Sequence, residues 1–173
     1  MKNSPKILLS IPSQKLRQFL MTMILTLGFL TLLNSCKKSS ESQELVLDKN
    51  LLKSEKKYKS LLDERDNGKP IFEIKDIKRI DDKLHITVKG GCKAEDFQVV
   101  WDGEILLSYP AQVNLLIFNS SATTCGTDEE FNVEVNLKKM IEKPDSNGYV
   151  FHVANGSIKR DKSLNPDGSV SSN

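Results

Sequence analysis

The chain has 173 residues, of which 38% are hydrophobic and 28% charged, and its formal net charge is +2. This length suits one domain with an added tail or linker. Basic and acidic residues are interspersed and form no basic stripe with interleaved aromatic residues, so we expect no nucleic-acid partner.

The N-terminal segment combines a basic part with an uncharged, largely apolar run from Phe19 to Leu33. A small residue, Ser35, and then Cys36 follow this run, and the chain becomes polar at once. This order predicts a secretory signal over residues 1–35. The alternatives are an ordinary signal cleaved nearby and an uncleaved membrane anchor, although a helix of this length reaches only about 22 Å of the ~30 Å hydrocarbon core.

The four residues Leu33-Asn34-Ser35-Cys36 resemble the lipobox of bacterial lipoproteins, in which an aliphatic residue and two mostly small residues precede a cysteine. The resemblance implies cleavage after Ser35, a diacylglycerol thioether on Cys36 and usually an acylated N-terminus. Two or three acyl chains would hold the protein firmly to a membrane. Removal of the signal also removes four basic residues, which leaves a mature chain with a net charge of −2.

The two other cysteines, Cys92 and Cys125, form an even pair if Cys36 carries lipid. In the oxidising compartment of an exported protein such a pair predicts a disulfide. A metal pair is the alternative, but two cysteines without nearby histidines make a poor zinc site. Both cysteines stand beside glycines at predicted strand ends, so we expect the bridge to join two loops at one end of the domain.

Residues 36–69 are polar and predict a tether between the membrane and the domain. Within it, apolar residues at near-helical spacing predict one helix over about residues 49–64. Turn-forming residues at 66–68 and Pro70 would end this helix.

Residues 70–156 show the alternation of apolar and polar residues that is typical of strands. Asp102-Gly103 predicts a two-residue hairpin turn, and the nearly apolar stretch from Gln112 to Phe118 predicts a central strand. Short strands with frequent turns predict an all-β fold, namely a small antiparallel β-sandwich of immunoglobulin-like type with six or seven strands. Residues 157–173 are predicted to be a polar C-terminal tail.

The pattern over residues 71–137 is similar to a group of uncharacterised Bacteroidota lipoproteins with a small β domain. The residues that carry the resemblance are Gly90-Gly91-Cys92-Lys93, Asp96-Phe97, Val100-Trp101-Asp102-Gly103, Pro110, Asn114-Leu115 and Cys125. The chain departs from the family pattern at Glu95, where a histidine is expected, and at Ala111, which replaces a second proline. The resemblance implies a fold and a compartment and adds no activity.

The search for catalytic chemistry finds no constellation of the required residues. His85 and His152 alternate onto the polar sides of different predicted strands and lie at no metal-ligand spacing from cysteines or carboxylates. No serine lies in a strained Gly-x-Ser-x-Gly turn, and the small groups of carboxylates fall in turns or at strand starts. We therefore expect no catalytic residue, no metal and no cofactor.

The resulting hypothesis is a lipid-anchored cell-envelope protein that acts as a non-catalytic binding or structural module. Its partners would be the membrane, through acyl chains on Cys36, and a protein or glycan of the envelope. The predicted contact residues lie in the loops around the cysteine pair: Lys93, Glu95, Ser120, Thr124 and Asp128.

Two other functions remain as alternatives. An inhibitor or immunity-like protein would insert the loop 120–129 into an envelope enzyme, and a hydrolase ranks third. Because the segment Lys37–Glu41 lacks consecutive acidic residues, we expect the periplasmic face of the outer membrane rather than the cell surface.

Overall fold

Most of the strands in the computed structural model have sequences in which apolar and polar residues alternate. The structure describes residues 44–67, 71–121, 123, 125, 128–141 and 148–172. The predicted signal over residues 1–35 and the lipidation residue Cys36 lie outside this part. The elements of the described residues are β1 (Leu45–Asp48), β2 (Leu51–Lys53), α1 (Glu55–Asp63), β3 (Glu73–Ile80), β4 (Lys83–Lys89), β5 (Phe97–Leu106), β6 (Ala111–Asn119), β7 (Glu130–Asn136), β8 (Tyr149–Asn155), β9 (Lys162–Leu164) and β10 (Val170–Ser172).

The strands form two sheets, and the predicted small all-β sandwich is confirmed. The larger sheet has the order β1-β2-β5-β6-β8-β9-β10, and the smaller sheet has the order β3-β4-β7. Most neighbouring strands are antiparallel, but β2 runs parallel to β5, and β6 runs parallel to β8. The larger sheet is therefore mixed, whereas the smaller sheet is antiparallel. The described residues contain ten strands rather than six or seven.

The hydrophobic core lies between the two sheets, and period-two alternation selects its side chains. In β4, Leu84, Ile86 and Val88 are fully buried, whereas the residues between them are partly exposed. From the larger sheet, Phe97 and Phe151 contribute the largest fully buried side chains. The whole core cluster extends from Leu51 near the start of the described chain to Leu164 near its end.

Helix α1 covers the outer face of the larger sheet. It begins after Ser54, whose hydroxyl accepts a hydrogen bond from the Lys57 backbone N–H at 3.2 Å. The helix lies against β5 and β6, and the side chains of Val100 and Leu116, which point away from the core, are fully buried. Burial at this contact, with the nearby carboxylates of Asp102 and Asp161, raises the pKa of Tyr58 to about 12.

The predicted boundaries of the domain are wrong at both ends, because short strands extend the larger sheet there. Residues 45–53 are not a tether: β1 and β2 pair beside β5, and Leu51 is fully buried. The predicted helix over residues 49–64 begins only at Glu55. The predicted tail contains β9 and β10, and Leu164 of β9 belongs to the core. The compact unit accordingly runs from Ser42 to Asn173.

The predicted hairpin turn at Asp102-Gly103 is a bulge inside β5. Trp101 pairs with Leu115 and Ile105 with Val113, so three residues of β5 face one residue of β6. Gly103 has a φ of 98°, and the indole Nε1 of Trp101 donates to the backbone oxygen of Glu104 at 3.0 Å. The hairpin itself follows at residues 107–110.

A buried polar network joins the two sheets near the end of β8. The amide Nδ2 of Asn155, which is fully buried, donates to the backbone oxygen of Phe72 at 2.9 Å. Its Oδ1 accepts from the backbone N–H and from the hydroxyl of Ser157, both at 2.8 Å. The carboxylate of Asp161 accepts from the Asn155 backbone N–H at 2.9 Å. Both of its oxygens also accept from Nη1 of Arg65, each at 2.9 Å. The network connects β8, the segment before β3 and the end of α1.

We predict that Asn155→Ala lowers the free energy of unfolding by about 3 kcal/mol, because buried donors and acceptors lose their partners. Urea denaturation monitored by circular dichroism measures this change. The matched control is Asn132→Ala, which removes an amide on the exposed face of β7 and should cost less than about 1 kcal/mol. Equal losses in the two variants would contradict the importance of the network.

Candidate functional site

The predicted cysteine pair is joined in a disulfide at one end of the sandwich. Cys92 lies in the connection from β4 to β5, and Cys125 lies in the connection from β6 to β7. Their Cα atoms are 5.1 Å apart. Each of these connections crosses from one sheet to the other, so the bridge ties two crossovers and does not pass through the core. We call the region formed by residues 90–96 and the described residues from 119 to 129 the disulfide end.

Two consecutive glycines let the chain turn sharply before Cys92. Gly90 and Gly91 have φ values of 100° and 98°, which residues other than glycine rarely adopt. A Cβ atom on Gly91 would also lie 2.8 Å from the ring of Phe97. The backbone therefore packs directly on a core aromatic side chain at this point.

Most of the predicted contact residues lie together on the surface of the disulfide end. Lys93 directly precedes the short 3-10 turn Ala94–Asp96, Glu95 lies within it, and both residues are exposed. The backbone N–H and the hydroxyl of Ser120 donate to the backbone oxygen of Asp96, at 2.7 and 2.8 Å. The exposed carboxylate of Asp128 lies 3.0 Å from the ammonium of Lys89. Thr124 lies outside the described residues.

A cleft of about 530 Å³ opens beside this surface, and Glu95 belongs to both. One wall is the turn between β1 and β2, and the other is the outward face of β7. The main lining residues are Asp48, Lys49, Asn50, Glu95, Asn132, Glu134 and Asn136.

The lining of the cleft combines charged and amide side chains with the apolar residues Ala94, Phe97 and Val133. The amide of Asn50 donates to the backbone oxygen of Glu134 at 2.8 Å and so occupies one acceptor on the edge of β7. The ammonium of Lys83 lies 2.6 Å from the Glu134 carboxylate and lowers the pKa of that carboxyl group. Side-chain amides and paired charges of this kind can hydrogen-bond a polar partner, such as a peptide backbone or a glycan.

The residues of this cleft were only partly predicted from the sequence. Glu95 was predicted, but Asn50 was placed inside a tether helix. The turn-forming residues Asp48-Lys49-Asn50 between two apolar pairs were the available signal for a hairpin.

A second cleft, of about 770 Å³, lies at the opposite end of the sandwich. It separates the β3–β4 turn from the β9–β10 turn, and its apolar floor includes the aromatic pair Tyr149 and Phe151. We call the region formed by these two turns and by the β5–β6 hairpin tip (residues 107–110) the hairpin end. None of the described contact residues predicted from the sequence lines this cleft.

The nearest approach to a nucleophile and base is the pair Ser163 and His152. The hydroxyl of Ser163 lies 2.8 Å from Nδ1 of His152, and Oε1 of Gln112 lies 3.1 Å from Nε2. Ser163 is only 3% exposed, so a substrate in solution does not reach its hydroxyl. The three side chains link β6, β8 and β9 across the outer face of the sheet, and burial lowers the pKa of His152.

The other histidine, His85, also lies on the outward face of its sheet, as predicted. Its Nδ1 lies 3.0 Å from the amide nitrogen of Asn132 and 3.8 Å from the carboxylate of Glu134. Within the described ranges, no group of three or more His, Cys, Asp or Glu residues is placed to hold a metal ion.

The geometry defines a small β-sandwich protein in which a disulfide joins two of the connections between the sheets. No protein-family model, curated protein or solved structure matches the chain. In the part of the chain that the structure describes, no helix is long and apolar enough to cross a membrane.

Removal of the disulfide in a Cys92→Ser, Cys125→Ser double variant should lower the free energy of unfolding by about 3–4 kcal/mol. This is the chain-entropy value for the loop that the bridge closes, whose ends are 33 positions apart in the sequence. Denaturation with urea measures the change. Amides that exchange through local opening should accelerate at residues 90–96 and hardly change at the hairpin end, whereas amides that exchange only through global unfolding should all accelerate with the loss of stability. Unchanged local exchange at residues 90–96 would contradict a local role for the bridge.

The lowered pKa of His152 predicts that stability falls as the pH drops below about 6.5, because the unfolded chain then binds more protons than the folded one. This contribution is complete above the unfolded pKa and decreases as the pH approaches the folded pKa. Thermal unfolding measured between about pH 8 and pH 6 should show a falling Tm. His152→Gln should flatten this profile, whereas His85→Gln should retain it; an unchanged profile in His152→Gln would contradict the assignment.

Proposed function

We propose that the protein is a lipid-anchored, non-catalytic binding module of the bacterial cell envelope. Its anchor would be acyl chains on Cys36, at the periplasmic face of the outer membrane. The disulfide end and the adjacent cleft would contact a protein or glycan of the envelope. The observation that carries the binding role is the restraint of this surface by the disulfide between the two crossovers.

Restraint of the loops favours binding because fewer conformations are lost when a partner is bound. The bridge between Cys92 and Cys125 is one restraint, and the two hydrogen bonds from Ser120 to the Asp96 backbone are a second. Around them stand exposed charges of both signs, which include Lys93 and Glu95. Such a surface can select a polar partner by the placement of its charges.

The direction of the first strand is compatible with a membrane anchor on the N-terminal side. β1 is antiparallel to β2, which is parallel to β5, and β5 starts beside the disulfide end. β1 therefore runs towards the disulfide end, and Leu45 lies at the end of this strand that is farther from the disulfide end. An anchor at Cys36 would leave the proposed contact surface directed away from the membrane.

The contact surface can be tested by photo-crosslinking in intact envelopes. A benzophenone amino acid at position 93 or 95 should give a discrete crosslinked species, identified by mass spectrometry. The matched control is the same amino acid at Lys139, which is exposed near the hairpin end. Equal crosslinking from position 139, or none from 93 and 95, would overturn the proposed contact surface. Recovery of an envelope enzyme with its activity blocked would favour the inhibitor hypothesis.

The anchor can be tested independently with Cys36→Ser. This variant should lose incorporation of a labelled fatty acid and move from the membrane fraction to the soluble fraction, because acyl chains provide the attachment. Cys92→Ser serves as a matched control and should still incorporate the label. Retention of the fatty acid in Cys36→Ser would contradict the lipobox assignment. Release of the domain by protease from intact cells would contradict the periplasmic orientation.

A further inference from the structure

The tip of the β5–β6 hairpin exposes apolar side chains to solvent. Leu107 is 95% exposed, Tyr109 is fully exposed, and Leu106 is 45% exposed. Leu107 and Tyr109 are the two most exposed large hydrophobic residues in the described part of the chain. The sequence around the tip is also without charge, since no charged residue occurs between Glu104 and Asp128.

The polar groups of the tip are largely bonded within the hairpin. The Ser108 hydroxyl donates to the backbone oxygen of Pro110 at 2.6 Å and accepts from the Gln112 amide at 3.1 Å. The Ser108 backbone N–H donates to the Leu106 oxygen at 2.9 Å, and Pro110 has no N–H to satisfy. These groups would keep their hydrogen bonds if the tip left water, which lowers the cost of the transfer.

The tip lies on the same side of the domain as the start of the described chain. Leu45 pairs with Lys53, Lys53 with Trp101, and Trp101 with Leu115. From Leu115 the β6 strand needs three further residues to reach Gln112 at the base of the tip, which corresponds to about 10 Å. The start of β1 thus points towards the hairpin end.

The stretch of chain between Cys36 and the first described residue is short. Glu44 stands eight residues after Cys36, and that many residues span at most about 28 Å. A lipid group on Cys36 would therefore hold the hairpin end near a bilayer surface. Leu45 and Val46 at the start of β1 are exposed as well.

We propose that the β5–β6 hairpin tip inserts Leu107 and Tyr109 into the interfacial layer of the bilayer that holds Cys36, as a second membrane contact. The inference rests on the lipid anchor proposed above. A leucine beside a tyrosine suits this layer, because the leucine enters the acyl region while the tyrosine hydroxyl remains among the headgroups. The contact would orient the domain with the disulfide end away from the membrane.

The test uses the full-length acylated protein bound to protein-free vesicles of phosphatidylethanolamine and phosphatidylglycerol. Leu107→Cys or Tyr109→Cys carries a nitrobenzoxadiazole label, whose emission shifts to the blue in an apolar environment. Lys93→Cys at the disulfide end is the matched control. Both tip side chains are exposed, so the labels should leave the fold unchanged; circular dichroism verifies this. Flotation with the vesicles measures attachment separately.

The expected result is a blue-shifted emission, quenched by nitroxide-labelled lipids, at positions 107 and 109, with water-like emission at position 93. Water-like emission at 107 and 109 in protein that floats would overturn the hairpin contact and leave the anchor intact. Protein that carries no acyl group and does not float would overturn the anchor and this inference together. Shielding of the tip in native envelopes but not in protein-free vesicles would also overturn the inference, in favour of a protein partner.

Discussion

Asn155 ends β8, and its buried amide and its backbone N–H bind groups from two separate parts of the chain, the segment before β3 and the β8–β9 connection. Phe72 precedes β3 in the smaller sheet, Ser157 begins the connection to β9, and Asp161 links this connection to Arg65 after α1. A buried amide without partners would cost about 1–3 kcal/mol for each unsatisfied group. The positions of the helix, of the smaller sheet and of the C-terminal strands are therefore coupled at one residue, through its side-chain amide and its backbone N–H.

The alternation of apolar and polar residues was sufficient to predict the long strands from the sequence but not the short ones. β4 has seven residues and shows the period clearly, whereas β2 and β9 have three residues each and cannot display a period. Their place in the sheet is decided by pairing with distant strands, β2 beside β5 and β9 beside β8. Single-sequence patterns carry no information on such pairing, which is why residues 45–53 and 162–172 were assigned to a tether and a tail.

The bulge in β5 shows how a correct local signal can indicate the wrong structure. Asp102 accepts a hydrogen bond from the Glu104 backbone N–H at 3.0 Å, and Gly103 supplies the positive φ. The same local chemistry forms hairpin turns, so the dipeptide could not distinguish the two. In the structure β5 continues past the dipeptide and pairs with β6 at Ile105 and Leu106, and the Asn114 amide binds the Asp102 carboxylate at 3.0 Å from the opposite strand. The pairing with a distant strand, which the dipeptide does not encode, makes this segment a bulge.

The parts of the candidate site that depend on local sequence could be predicted, whereas the parts that depend on pairing between distant strands could not. The disulfide could be predicted because assignment of one cysteine to lipid leaves only two others, and the glycines beside Cys92 mark a loop. The cleft could not, because its walls come from the β1–β2 turn and from β7, which meet only when β2 pairs with β5. The parallel pairing of β2 with β5 also fixes the direction of β1, because β1 is antiparallel to β2. The start of β1 therefore points towards the hairpin end, and the restrained loops lie at the other end of the domain. The proposed orientation of the domain, with the hairpin end at the membrane and the disulfide end away from it, thus depends on the pairing of three residues, Leu51–Lys53. The sequence alone places these residues in a predicted helix.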